Sequence, residues 1–117
     1  MTIDLPKEHK DAVGLAFYEA LAATGPWERV NGTGTVISLL MTSTEASGVK
    51  EEQRLMEQQF MEWGLAMREY STPNDDSQKY HAAWRCQKVL GKLGVLAYKY
   101  GKIPAGGFKV IPSGGSQ

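Results

Sequence analysis

Two stretches of the chain decide its fold: residues 47–70, SGVKEEQRLMEQQFMEWGLAMREY, and residues 73–100, PNDDSQKYHAAWRCQKVLGKLGVLAYKY. In the first, large side chains recur at alternating intervals of three and four residues, the period of one helix face. These positions are Val49, Gln53, Met56, Phe60, Trp63, Met67 and Tyr70. The second stretch repeats the interval at Ala82, Cys86, Val89, Leu93, Leu96 and Tyr100. Two such helices joined by a short connection predict an antiparallel helix hairpin, about 47–70 and 73–100.

Start and stop signals support these helices and predict one more. The sequence Thr72-Pro73-Asn74-Asp75 resembles a capping box with proline in the first turn, and Gly101 and Pro104 end the last helix. An apolar face recurs between residues 5 and 21, and the Gly25-Pro26 pair that follows is a helix stop. We therefore predict a first helix at about 6–24.

Residues 27–40 differ from their surroundings. The sequence Asn31-Gly32-Thr33-Gly34 lies between two β-prone runs, and Asn-Gly in that setting is a hairpin signal. The alternative is that 36–41 is a buried helical turn. We predict a mainly α (α+β) fold, with three helices and a small β-hairpin at about 27–40. Residues 1–104 form one helical domain, residues 105–117 a flexible tail, and residues 108–111 a possible extra strand.

Charge is distributed unevenly along the chain, although the formal net charge is zero. Residues 1–76 contain thirteen acidic and six basic side chains, whereas residues 77–117 contain seven basic side chains and no acidic one. A basic half of this kind is typical of a surface that meets phosphates or an acidic protein, and an acidic half of a surface that meets a basic partner.

The amino-acid composition indicates the cellular compartment in which the protein is expected. The single cysteine, Cys86, excludes an internal disulfide framework and fits a reducing environment. The N-terminus lacks the basic and apolar regions of a secretory signal, and no apolar run reaches the roughly 18 residues of a membrane-spanning helix. We expect a soluble cytoplasmic protein that binds no membrane.

The last helix offers a candidate nucleic-acid surface. At about 100° per residue, Arg85, Lys88, Lys92 and Lys99 lie within one narrow arc, and His81 joins them. Cations neutralise phosphates, and exposed aromatic side chains stack on bases. The predicted nucleic-acid-binding residues are Lys79, Arg85, Lys88, Lys92, Lys99, Lys102, Trp84 and Tyr98. The alternative is a solvated helix face with its aromatic residues packed under the first helix.

Gly91 and Gly94 lie in the middle of the same helix, on its aromatic side. Each destabilises a helix by about 1 kcal/mol relative to alanine, so a compensating role is expected. Close approach of a backbone from the first helix or from a second subunit would supply one. We predict a homodimer, with simple tolerance or a local kink as the alternative.

The sequence provides no constellation typical of an enzyme. Two histidines without clustered ligands predict no metal site, and Cys86 lies on an apolar helix face, where thiols are inert. The Asp75-Asp76 pair is explained by the helix N-terminus. The Gly-Thr-Gly sequence at 32–34 lacks the remainder of a phosphate loop. We predict no catalytic residue, no metal and no cofactor.

Three hypotheses for function follow. The leading one is a small non-enzymatic regulatory protein that binds nucleic acid, DNA or RNA, through the basic face of its last helix. The second is a protein-binding adaptor or inhibitor that uses the acidic first 76 residues, chiefly Glu51, Glu62 and Glu69, against a basic partner. The third is a structural subunit of a larger assembly.

Overall fold

The computed structural model describes residues 5–72 and 76–102, and these residues form four helices. The helices are α1 (Lys7–Ala22), α2 (Pro26–Ser47), α3 (Lys50–Ser71) and α4 (Asp76–Tyr100). The mainly helical prediction is therefore confirmed, with 89% of the described chain in helix. The proposed tail at 105–117, the possible strand at 108–111 and the 73–75 part of the capping box lie outside the described residues.

The predicted β-hairpin at 27–40 is wrong, because the segment lies inside α2 and the described residues contain no strand. The predicted α+β fold with three helices is thus wrong, and the described residues instead form an all-helical fold of four helices. The buried positions of α2 include Val30, Thr33, Ile37, Leu40 and Thr44, which recur at intervals of three and four. Two of these are threonines, so the helical period is hidden when only apolar residues are counted.

The hydroxyl side chains of α2 are satisfied within the helix. Thr33 Oγ1 donates a hydrogen bond of 2.7 Å to the carbonyl of Arg29, and Ser43 Oγ donates one of 3.1 Å to the carbonyl of Leu39. Such bonds to the preceding turn let threonine and serine occupy buried helical positions without leaving an unpaired polar group. The β propensity of this segment is therefore overridden by tertiary burial.

The two glycines that suggested a turn are contact points between helices. A Cβ atom at Gly32 would lie 3.3 Å from Ala20 of α1, and one at Gly34 would lie 2.6 Å from the ring of Trp63 of α3. The Trp63 indole Nε1 donates a 2.9 Å hydrogen bond to the carbonyl of Val30. Only a residue without a side chain allows the indole to lie this close to the α2 backbone.

The ends of α2 explain why it is a separate helix. Pro26 occupies a first-turn position, where its missing N–H is harmless, so Gly25-Pro26 starts α2 as well as ending α1. The Arg29 guanidinium donates to the carbonyl of Ala23 at 2.9 Å, just after the end of α1. At the other end, Gly48 has a φ of 74° and donates its N–H to the carbonyl of Thr44. This left-handed glycine cap separates α2 from α3.

The helices alternate in direction. Glu52 near the start of α3 contacts Lys99 near the end of α4, whereas Glu69 near the end of α3 contacts His81 near the start of α4. Helices α2 and α4 form the central pair, and α1 and α3 pack on either side of them. Within the described residues, α1 and α3 do not touch. The outward face of α4 is therefore bordered by both flanking helices.

The core confirms most of the apolar face expected for α4 and corrects that of α3. Within the predicted α4 set, every member except the half-buried Tyr100 is buried. In α3, Met56 is buried, but Phe60 is 47% exposed and its neighbour Gln59 is buried instead. The expectation that Phe60 packs in the interface between the two helices is therefore wrong, because α3 is rotated so that Gln59 and Ala66 face inward.

Candidate functional site

Exposed apolar and aromatic side chains run along the outward face of α4. Trp84 is 52% exposed and Val95 is 76% exposed, and Tyr80 and Tyr98 are also largely accessible. These residues lie on the side of the helix opposite Leu90 and Leu93, which are fully buried. The alternative prediction was that the aromatic residues pack under the first helix. It does not hold for Trp84, which is half exposed and lies beside α3.

Part of the predicted basic row is neutralised by acidic residues of α3. Arg85 Nε lies 3.1 Å from Glu69 Oε1, and His81 Nδ1 lies 2.6 Å from the other oxygen of the same carboxylate. Lys99 Nζ lies 2.5 Å from Glu52 Oε2. These contacts join α3 to α4, so Arg85 and Lys99 have a structural partner in addition to any external one.

Three other lysines of α4 form no ion pair with a carboxylate of the described residues. The Lys88 ammonium lies 4.5 Å from the centroid of the Trp84 ring, and that of Lys79 lies 5.4 Å from the Tyr70 ring. Among the described residues, Lys92 forms no ion pair or hydrogen bond. Lys88 and Lys92 are exposed and one helical turn apart, so together they form a small patch of unneutralised positive charge.

A cleft of about 190 Å³ between α3 and α4 adjoins this patch. Three cations, one carboxylate, a tryptophan and an amide contribute to its lining, which consists of Gln59, Glu62, His81, Trp84, Arg85, Lys88, Val89 and Lys92. Gln59 is only 3% exposed, and its buried Oε1 atom has no hydrogen-bond partner among the described residues.

A second, larger cleft of about 440 Å³ lies between α1 and α2. Its polar lining includes the carboxylates of Glu19 and Glu28 but no lysine or arginine. The negative charge makes it unsuitable for phosphate groups. Of these two clefts, the one between α3 and α4 is therefore the one with anion-binding character.

The predicted protein-interaction residues are not gathered into one surface. Glu69 is occupied by His81 and Arg85, and Glu62 lies 3.8 Å from Arg85, whereas Glu51 is exposed at the start of α3. The pairing leaves little free negative charge near the end of α3, because the carboxylates of Glu62 and Glu69 both face Arg85 of α4.

The two glycines predicted to permit close approach differ. A Cβ atom at Gly91 would meet no other atom within 4 Å, and one at Gly94 would make an ordinary contact of 3.8 Å with the Phe17 ring. Helix α1 therefore lies beside Gly94 but not beside Gly91. The closest glycine-mediated approach of α1 to the end of α4 is instead at Gly14, where a Cβ would lie 2.2 Å from the carbonyl oxygen of Lys102.

The remaining predicted residue, Lys102, lies just beyond α4. Its backbone N–H donates a 2.9 Å hydrogen bond to the carbonyl of Lys10, which fastens the end of α4 to α1. The Lys102 side chain is exposed, but it lies far along the helix from the cleft between α3 and α4. It does not contribute to the lining of that cleft.

Cys86 is buried against α2. Burial raises the pKa of its thiol to about 11, despite the opposing effects of a hydrogen bond with Thr33 and the charge of Arg29. At neutral pH the group is therefore a protonated thiol, which is a poor nucleophile.

A histidine–serine contact was not anticipated from the sequence. His9 Nε2 lies 2.7 Å from Ser43 Oγ, in a pair separated by 34 positions. Ser43 is 1% exposed and its hydroxyl donates to the carbonyl of Leu39, so it is oriented towards the helix backbone rather than towards solvent. This contact joins α1 to α2, and no signal in the sequence could have revealed it.

Within the part of the chain that the structure describes, no helix is both long enough and apolar enough to cross a membrane. No group of three or more histidine, cysteine or acidic side chains there could hold a metal ion. Comparison with protein-family models, curated proteins and solved structures gave no match.

Proposed function

We propose that this protein is a small non-enzymatic regulator in the cytoplasm that binds single-stranded DNA or RNA through the outward face of α4. The observation that supports this most directly is the grouping of Trp84, Lys88 and Lys92 at the cleft between α3 and α4. Lysines that lack a carboxylate partner are available to phosphates, and a half-exposed indole is available to a base.

A single strand fits this surface better than a duplex. Base stacking on an aromatic side chain requires an unstacked base, which a single strand offers at no further cost. Recognition of duplex DNA by a helix normally uses side chains that form paired hydrogen bonds to base edges, above all arginine. The only arginine of α4, Arg85, already contacts Glu69.

Fluorescence anisotropy with a labelled oligothymidylate tests the proposal. If Lys88 and Lys92 each neutralise one phosphate, the logarithm of the binding constant should fall with the logarithm of the salt concentration at a slope of about −1.4. Replacing Lys88 and Lys92 with glutamine should weaken binding at least about tenfold and remove most of this salt dependence.

The matched control is the double variant Lys7→Gln and Lys10→Gln, which removes the same charge from exposed positions of α1. It should bind as the wild type does. An absence of binding at low salt, or equal losses in the two double variants, would contradict the proposal.

The adaptor hypothesis has less support, because the carboxylates of Glu62 and Glu69 lie beside Arg85. A partner that used them would first have to separate α3 from α4 or displace the arginine. Co-purification of a basic protein that is lost on Glu51→Gln substitution would favour it over nucleic-acid binding. A stable complex that depends on none of these residues would favour a structural subunit.

The proposal includes a homodimer formed along the later part of α4. Gly91 has open space around it, and Val95, one turn later, is largely exposed, so a second copy of the helix can approach this surface closely. Light scattering should give the mass of two chains, and Gly91→Leu should reduce it to one without loss of helical signal. A single-chain mass for the wild type at high micromolar concentration would exclude the dimer.

A further inference from the structure

Gly91 and Val95 form a hollow and a protrusion on the outward face of α4. A Cβ atom at Gly91 would meet no other atom of the described residues within 4 Å, whereas Val95 is 76% exposed. The two residues are four positions apart, so they lie one helical turn from each other on the same face. A helix that presents a hollow next to a protrusion is complementary to an inverted copy of itself.

We propose that two copies of the chain pair antiparallel through α4, with Val95 of each copy in the hollow at Gly91 of the other, and that this pairing is coupled to strand binding. The inference rests on the proposed binding of single-stranded nucleic acid and on the homodimer that it includes. A parallel pair would instead place hollow against hollow and valine against valine. The middle of this face is uncharged from Gln87 through Gly91 and Val95 to Tyr98, so its centre can meet a second copy without like-charge contact.

Antiparallel pairing joins the lysine patches of the two copies. The two-fold axis passes beside position 93, perpendicular to both helices, so the α3 helices of the two copies lie on the same side of the pair. Lys88 and Lys92 flank α4 on the side of α3, and they therefore come together from both copies. At about 1.5 Å of rise per residue, the two Lys92 positions are about 3 Å apart along the helix axes, and the two Lys88 positions about 15 Å apart. The result is one row of four lysines with a Trp84 ring near each end.

The contact area indicates that the pairing depends on the strand. Residues 86–100 of the two copies overlap over about 22 Å, and a helix face about 10 Å wide then gives about 220 Å² on each copy. Stable interfaces bury about 800 Å² per partner, so α4 alone forms a weak dimer. The row of four lysines opposes this dimer by like-charge repulsion. A strand that neutralises the lysines removes the repulsion and contacts both copies, so strand binding and dimerisation strengthen each other by the same factor.

Sedimentation velocity on the wild-type protein measures the coupling. An oligothymidylate of about eight nucleotides should lower the protein concentration at half-dimerisation at least about tenfold. The complex should contain two chains and one strand, and the salt slope of strand binding should double from about −1.4 for a single chain to about −2.8 for the dimer. Thymidine dinucleotide, which has one internal phosphate, should change the half-dimerisation concentration by less than about twofold.

An exchange of the two residues tests the antiparallel register at high micromolar protein concentration without a strand. Gly91→Val should fill the hollow and prevent dimerisation, and adding Val95→Gly should restore it, because each new valine then faces a new hollow. In a parallel pair, Gly91→Val would clash with its own copy and the second substitution would give no relief. Both positions are exposed, and the exchange leaves the composition of α4 unchanged, so neither the core nor the summed helix propensity is altered.

The outcomes separate this inference from the function on which it rests. Failure of the exchanged variant to dimerise would overturn the antiparallel register. Strand binding with an unchanged half-dimerisation concentration would overturn the coupling while leaving the proposed nucleic-acid binding intact. Two Gly91→Val chains on one strand would also overturn it, because the strand would then hold two chains that do not pair through α4. Absence of strand binding by the wild-type protein would refute the proposed function itself, whether or not two copies pair.

Discussion

Glycine has two opposite roles within the helices of this protein. At Gly34 the absence of a side chain admits the Trp63 ring, whose indole then reaches the Val30 carbonyl. At Gly91 the space for a side chain is empty. Both residues reduce the intrinsic stability of their helices by a similar amount, but only the first is compensated by a contact within the described chain.

Alanine substitution should therefore have opposite effects at these two glycines. Gly91→Ala should stabilise the protein by about 1 kcal/mol through helix propensity. Gly34→Ala gains the same stabilisation from helix propensity, but its methyl group would overlap the Trp63 ring. Overpacking of this kind destabilises a protein by about 1–3 kcal/mol, so the net effect should be a loss of stability. Urea unfolding followed by circular dichroism measures both. Equal stabilisation by the two substitutions would mean that Trp63 does not pack on α2.

Helix α3 is held by its neighbours in an orientation that its largest side chains do not reveal. Phe60 stays half exposed beside the Trp63 ring, with 6.0 Å between the ring centroids, while the smaller Ala66 is fully buried. The ion pairs of α3 with α4 at Glu52 and Glu69 and the hydrogen bond from Trp63 to α2 are all formed in this orientation.

Truncation of side chains in α3 and α4 should reflect this orientation. Leu93→Ala should reduce the free energy of unfolding by about 2–5 kcal/mol, because the side chain is fully buried in the core. Phe60→Ala should reduce it by about 1 kcal/mol or less, because nearly half of the residue is already exposed. Chemical denaturation distinguishes the two, and similar losses would place Phe60 in the helix interface after all.

The uneven charge along the chain is partly neutralised by ion pairs within the folded molecule. Acidic α3 and basic α4 lie side by side, and their ion pairs use some of the charges that suggested an external partner. Glu52 is the most enclosed of these groups and also contacts Ser47 of α2. Burial alone would raise the pKa of Glu52, but hydrogen bonds from Lys99 and Tyr100 and the lysine charge outweigh it, so the pKa is lowered.

This lowered pKa predicts how stability depends on pH. Since the unfolded chain holds the Glu52 proton more tightly than the folded chain does, ionised Glu52 stabilises the fold above its ordinary pKa of 4.5. The contribution is lost as the pH falls through the lower folded-state pKa. At pH 7, Glu52→Gln should therefore reduce the free energy of unfolding by about 1–3 kcal/mol relative to the wild type. This difference should become smaller as the pH is lowered into the acid range, and thermal or chemical unfolding at several pH values measures it.

The neighbouring variant Glu51→Gln is the control, because Glu51 is exposed and has no ion pair among the described residues. It should follow the wild-type pH profile. A Glu52→Gln difference that stays constant from pH 7 down to the acid range would show that the Glu52 charge does not stabilise the fold.

The amino-acid sequence by itself determined three of the four helices and the exposed residues of the proposed site. Their signals are local: the three-and-four spacing of apolar residues in α4, and the placement of Trp84, Lys88 and Lys92 on the opposite side of that helix. Tertiary structure decided that 27–40 is helical, because its glycines and threonines are explained only by Ala20 and Trp63 from other helices. It likewise decided which cations of α4 are paired with carboxylates of α3, since these ion pairs join residues far apart along the chain.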